Sequence, residues 1–171
     1  CQVTEGARLD TGSGNITADL TGPLVTLLAD TGSGAVSLTA GRVSQCTVDT
    51  GSGAVSVTAE TIETMEAGTG SGDVTLTAGA VDQAAVSAGS GGFTLTADQA
   101  PGALSVDLTS GPIRLTLPEE ASFTATLDTV SGQWHCQLPA TQQGDRYVCG
   151  TGEGTYRFST TSGDVTIQAA P

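Results

Sequence analysis

The chain has 171 residues, enough for one domain with a sizeable core, yet only 13% are charged and 24 are glycine. All five basic residues are arginine (Arg8, Arg42, Arg114, Arg146 and Arg157), and 18 acidic residues leave a net charge of −13. A surface this acidic repels nucleic-acid phosphates and anionic lipid, and no apolar run is long enough to span a bilayer as a helix.

The sequence opens on Cys1 with no signal peptide before it. A lipid-modified cysteine is one reading. Such a residue normally precedes a flexible tether, however, and here the patterned sequence starts within a dozen residues. The expectation is instead an ectodomain separated from its membrane anchor. "CQVTEGARLD" supplies only the second half of a repeat, with Cys1 near the column of Ala40, Ala59 and Ala78. Residues further upstream are therefore expected to cover the N-terminal edge.

From there an internal repeat governs the chain. "DTGSGAVSLTA" at 30–40 returns as "DTGSGAVSVTA" at 49–59. The serine of the Ser-Gly pair recurs at Ser13, Ser33, Ser52, Ser71, Ser90, Ser110 and Ser131, spaced by 20, 19, 19, 19, 20 and 21 residues. Glu153 takes the same place in "TGEG", and Ser162 begins a last, short copy. The next position is Gly14, Gly34, Gly53, Gly72, Gly91, Gly111, Gly132, Gly154 and Gly163. Glycine in every copy predicts a corner whose backbone forbids a side chain, most simply through a positive φ.

Each corner leads into strict alternation. Three residues after the serine stand Ile16, Val36, Val55, Val74, Phe93, Ile113, Trp134, Tyr156 and Val165. Two further on come Ala18, Leu38, Val57, Leu76, Leu95, Leu115, Cys136, Phe158 and Ile167, with hydroxyl, arginine or histidine residues between. Period two predicts strands with one buried and one wet face. A second apolar pair lies upstream, in the columns Leu27, Cys46, Met65, Ala84, Leu104 and Ala29, Val48, Ala67, Val86, Val106. A coil of 19–21 residues cannot bury its own apolar face, but a stack of similar coils can. The predicted fold is all-β, a single-domain parallel β-solenoid (β-helix) closed by a C-terminal β-hairpin cap. An antiparallel sandwich is the rival, but its strands would not share one register across successive copies.

The rhythm breaks near the end. Residues 1–132 read as regular coils and 133–171 as an irregular coil with a closing hairpin. "ATQQGDRYVCG" reads as an irregular insertion, and "GTYRFSTTSGDVTIQ" as two strands about a tight turn. Phe123, Trp134, Tyr147, Tyr156 and Phe158 gather in this final third, as rings closing a narrow core.

Few residues suggest chemistry. Cys46 falls in an inward column and reads as a buried free thiol. Cys136 and Cys149 flank the irregular segment, and in an extracellular setting a disulfide between them would tie it down. The lone His135 points away from any zinc set. Asp10, Asp30, Asp49, Asp107 and Asp128 recur three residues before the serine, interrupted by Gly68 and Ser87. Calcium on stacked carboxylates is one reading. The favoured one is a structural role, in which the side chains bond backbone N–H groups at the corner. Thr75, Thr77, Thr94 and Thr96, with Ser37, Thr39, Ser56 and Thr58, form an outward hydroxyl ladder like those of ice-binding solenoids, though threonine also simply suits exposed strands. Without lysine, a nucleophile–base pair or a phosphate loop, catalysis is not expected and no cofactor is implied. A carbohydrate-active enzyme is the catalytic alternative.

With the repeat in place, "TGSGDVTLTAG" (69–79), "LPEEASFTATLDTVSG" (117–132) and "GEGTYRFSTTSGDVTI" (152–167) resemble the bacterial putative-adhesin family of β-strand-repeat domains, over essentially the whole chain. The resemblance implies a parallel β-solenoid outside the bacterial membrane, often behind an N-terminal transmembrane helix, with some relatives tied to envelope-stress systems. It transfers no functional residues, and "QWHCQLP" departs from the family's plainer strands. The expected function is a non-catalytic cell-surface adhesin or scaffold that holds a glycan or protein through a rigid, repetitive face. The alternative is a regulatory ectodomain with one protein partner at residues 133–150.

Overall fold

Residues that alternate apolar and hydroxyl side chains become strands, and every Ser-Gly pair becomes a bend between two faces of one stack. The computed structural model describes residues 6–171, which form strands and turns without helix. Cys1, and with it the lipidation reading, lies outside the described residues.

In chain order the strands are β1 (Gly6–Ser13), β2 (Ile16–Leu20), β3 (Leu24–Ser33), β4 (Val36–Ser52), β5 (Val55–Ser71), β6 (Val74–Ser90), β7 (Phe93–Ala97), β8 (Ala103–Ser110) and β9 (Ile113–Leu117). They continue as β10 (Phe123–Ser131), β11 (Trp134–Cys136), β12 (Ala140–Gln143), β13 (Arg146–Cys149), β14 (Gly154–Ser162) and β15 (Val165–Ala169). The long strands β4, β5 and β6 wrap around the core. In β5 the inward residues Val55, Val57 and Ala59 are followed by Ile62, Met65, Ala67 and Thr69. The two three-residue steps mark bends at which the side-chain parity shifts, made without glycine.

Successive coils pair in parallel and in register. Val36 lies beside Val55 and Val55 beside Val74, while the key serines form one column from Ser13 to Ser71. Parallel pairing of equivalent residues excludes the antiparallel sandwich. The stack is a β-solenoid with rungs ~4.8 Å apart. Its core is one column per inward position, with Leu27, Ile62, Val74, Leu76 and Leu95 all at 0% exposure.

The C-terminal end differs from the expectation. β14 and β15 do not form a hairpin. β14 pairs in parallel with β8 on one side and β10 on the other, and β15 likewise lies between β9 and β11. The last coil in sequence is therefore the second-last in space. The reason is local: Ser162-Gly163 is the same corner as in every other coil, and it sends the chain to the next face rather than back along the same one. The segment that read as irregular supplies the hairpin cap. β12 and β13 pair antiparallel around Gly144-Asp145, with Gly144 at φ +65°, the two-residue pattern of a type II′ turn. β13 then pairs antiparallel with β10 and covers its outer edge.

The crossover from β13 over β10 into the slot beyond it runs through "GTGEG". Gly150 and Gly152 adopt φ of +61° and +75°. Ser122 holds this crossover, its Oγ 2.7 Å from Thr151 Oγ1 and its carbonyl accepting from Gly154 N at 3.0 Å. Glu153-Gly154 is thus not a copy of the Ser-Gly corner. Tyr156 and Phe158, which sequence alignment put beside Trp134 and Cys136, belong to the other face, in the columns of Leu104 and Val106.

Candidate binding surfaces

The corner glycines are the most regular feature, and their geometry comes from stacking as much as from torsion. Gly14, Gly34, Gly72, Gly91 and Gly111 have φ between +140° and +156°. At Gly53, Gly132 and Gly163 the constraint is proximity alone: a Cβ on Gly163 would sit 2.0 Å from the Gly111 carbonyl oxygen, and one on Gly132 2.0 Å from that of Gly163. The order 111, 163, 132 restates the inserted coil in the glycine column itself. Gly154 stands outside that column, against Pro101 and Ser122 at the start of β14. Buried threonines brace the same corner. Thr31, Thr50 and Thr69 donate their hydroxyls to the carbonyls of Gly14, Gly34 and Gly53, at 3.2, 3.3 and 3.4 Å.

The carboxylates that bond the corner backbone are not the column expected to do so. Asp73 accepts from Gly92 N at 2.7 Å, Asp164 from Gln133 N at 2.9 Å, and the Asn15 carbonyl from Ala35 N at 3.0 Å. These residues follow the glycine, where the side chain reaches the next rung. Asp10, Asp30, Asp49, Asp107 and Asp128 instead project outward from the strand face, exposed to solvent. Asp10, Asp30 and Asp49 occupy consecutive rungs, but Ser159 separates Asp107 from Asp128 because β14 lies between them. Asp49 and Asp107 stand three rungs apart, about 14 Å, too far to share a cation. Among the described residues no group of three His, Cys, Asp or Glu has metal-binding spacing.

Where Gly68, Ala85, Ser87 and Ser105 take the outward positions, the acidic face dips into a shallow groove of about 310 Å³ rimmed by Asp49, Glu66 and Asp107. Ala85 and Ser105 also belong to a second depression that reaches Gln83 and Arg157. Together they make a continuous trough floored by small, largely apolar residues, with carboxylates at one end and Arg157 at the other. No sequence motif marks it. The signal was present only as interruptions of the aspartate column.

A different face carries the hydroxyl ladder. Ser37, Ser56, Thr75 and Thr94 align on consecutive rungs beside Thr39, Thr58, Thr77 and Thr96. Arg114, Thr166 and His135 continue the first column.

The end of the stack is aromatic. Phe123 stacks on Tyr156 with centroids 4.6 Å apart, and Trp134 on Tyr147 at 4.4 Å. Phe123, Tyr156 and Phe158 are wholly buried, whereas Trp134 and Tyr147 are half-buried and line a depression with His135, Leu138 and Gln142. Burial pushes the Tyr156 phenol well above its ordinary range, and its hydroxyl has no hydrogen-bond partner. Cys136 and Cys149 are free thiols, as is Cys46. Cys136 Sγ contacts the Leu138 carbonyl at 3.6 Å. The tie expected of a disulfide is supplied by backbone pairing, since the segment between the two cysteines is the β12–β13 hairpin bonded to β10. Desolvation raises all three thiols, Cys46 up to about 12.

No protein of curated function matches the sequence. Among solved structures, a "putative cell adhesion protein" from Clostridium sporogenes shares the fold, with a TM-score of 0.55 at 11% identity. The match covers 64% of this chain and 56% of that one, so this chain spans little more than half of the other protein's length. The family model for Toastrack DUF4097 matches residues 4–168, and the chain belongs to that family.

Proposed function

We propose that this chain is a non-catalytic module displayed on the outside of a bacterial cell, an adhesin or scaffold that grips an extended polar partner such as a glycan strand or polypeptide. What carries the reading is the register. Outward hydroxyl residues recur at ~4.8 Å intervals along one face of a rigid stack, and another face carries a trough that runs across several rungs. Equal spacing lets weak contacts add along a repetitive partner, so avidity replaces a single tight pocket. The carboxylates around the trough lie on separate rungs with no histidine or lysine near them, an arrangement suited to hydrogen bonding rather than paired acid–base work. The fold shared with a protein named for cell adhesion supports the same reading.

Glycan-array and mucin binding test it. Binding should survive chelation and fall by about tenfold or more in Ala85→Arg, which fills the trough without touching the core. Silence across both arrays would remove the proposal. A second reading, a regulatory ectodomain with one protein partner, is favoured by the half-exposed Trp134–Tyr147 pair and the depression beside it. It predicts partner loss confined to substitutions at 133–150.

A further inference from the structure

Two of the chain's five arginines share one outward column of the trough face. On successive rungs that column runs Glu66, Ala85, Ser105, Arg157, Thr126, Arg146. Glu66 and Arg157 are therefore three rungs apart, about 14 Å, with only two small residues between them. Both are exposed, and neither forms a salt bridge among the described residues. Asp49 reinforces the negative end, and Arg146, two rungs beyond Arg157, reinforces the positive one. Asp107 and Asp128 stand one rung to either side of Arg157 in the neighbouring column, separated by Ser159, and do not pair with it.

The trough thus presents opposite charges at a fixed separation over an uncharged floor, and length decides what can span it. An extended polypeptide rises about 3.4 Å per residue, and its side chains at i, i+2 and i+4 share one side. Residues i and i+4 then lie about 14 Å apart, which matches three rungs. Residue i+2 falls over Ala85 and Ser105, where the floor accepts a small apolar side chain and offers nothing to a third charge. Gln83 and Ser87, outward on either side of Ala85, present amide and hydroxyl groups to a peptide backbone. A neutral glycan draws nothing from either charged end. We infer that the trough takes an extended peptide segment carrying a basic and an acidic residue four positions apart, with a small apolar residue midway. The basic residue lies against Glu66 and Asp49, and the acidic one against Arg157. This rests on the trough being the partner site, and it commits that site to polypeptide rather than glycan. Exposed ion pairs are individually weak, so the charge spacing selects among partners more than it tightens any one of them.

The test is an NMR titration of the chain, at low salt, with a blocked peptide that has lysine and aspartate four positions apart, alanine midway and threonine or serine elsewhere. Shift changes should centre on Ala85 and Ser105. Arg157→Glu should weaken binding of this peptide at least about fivefold and admit instead a peptide with lysine at both positions. Glu66→Arg should likewise reject it and admit the peptide with aspartate at both. Both positions are exposed, so the amide spectrum of β5 and β6 should show that each variant keeps the stack. Binding that ignores the reversals, or that is as strong when the two charges stand two positions apart, overturns the inference. So does a chain that leaves the peptide free yet binds glycan or mucin arrays in a way Ala85→Arg abolishes, and in that case the trough keeps its role with a glycan partner. Silence toward both peptide and arrays removes the two readings together.

Discussion

The regular stack from β3 to β7 and the closing region from β8 to β15 are built from the same strands and the same corners, yet they are assembled by different rules. In the regular stack each coil contacts the coils before and after it in sequence, at a separation of 19 residues, and the core is Val, Leu, Ile and Ala with one Met, Cys46 and a single ring, Phe93. In the closing region Tyr156 pairs with Leu104, 52 residues earlier, and the core is filled by Phe123, Tyr156 and Phe158. The comparison teaches what repetition alone cannot do. Near-identical coils are interchangeable neighbours, so a stack of them has no inherent end and no unique register. The inserted coil and its large rings break that degeneracy, because only one arrangement buries them.

The loop 118–122 shows how. It carries the chain from β9 to β10 past an empty rung, which stays open until β14 and β15 arrive. Removing residues 153–171 should therefore have the largest effect. β10, β11 and the hairpin would lose their strand pairing to the stack and stay joined to it only through 118–122, and Leu104, Leu108 and Phe123 would be uncovered. Circular dichroism and dye binding should report loss of the closing region, with β4–β6 still protected in hydrogen exchange. A truncated chain that melts as one intact unit would refute the division.

Next in size is Gly72→Ala in the regular stack. The new Cβ would meet the Gly53 carbonyl oxygen at 2.0 Å, with φ at +155°, and neither backbone can move without displacing every rung. A loss of about 3 kcal/mol or more is expected in urea unfolding.

Each region also buries a weak acid that resists ionisation, Cys46 in one and Tyr156 in the other. Both are raised, so the stability they confer is complete below the unfolded-state values and is lost as pH climbs. For Cys46 that window runs from 9.0 to about 12. Stability should fall by about 1.4 kcal/mol per pH unit from this thiol once pH exceeds its unfolded value. The slope should be shallower in Cys46→Ala, measured by denaturant midpoints between pH 8 and about pH 11.

The smallest effect separates the regions by sign. Thr50 is buried and donates to the Gly34 carbonyl, so Thr50→Val should cost about 1 kcal/mol. Thr160 occupies the same column, but its buried hydroxyl has no partner. Thr160→Val should be neutral or stabilising by up to about 1 kcal/mol in the same unfolding assay. Equal losses at the two sites would mean that the closing region satisfies its hydroxyls as the regular stack does.

How far these features could be read beforehand follows the same boundary. From β1 to β9 the inward columns, the corners and the parallel register were legible, because each coil repeats its neighbour and a period of two admits one burial pattern. The hairpin was misplaced because Tyr156-Arg157-Phe158 and Val165-Thr166-Ile167 alternate as hairpin arms also do. Nothing local tells a solenoid corner from a reversal except the Ser-Gly that joins them. The Gly144-Asp145 turn was a usable hairpin signal. The trough was not legible at all, since small residues such as Gly68 and Ala85 acquire meaning only when four coils set them side by side.

By itself the sequence determined the strand period, the coil length, the glycine column and the apolar interior, because all of these are enforced between equivalent residues a constant distance apart. Only the tertiary structure decided the order of the last coils, the source of the cap and the place of the acidic groove. Those depend on which coil meets which, and identical hydrogen-bonding edges leave that choice to long-range packing of Tyr156, Phe158 and Phe123.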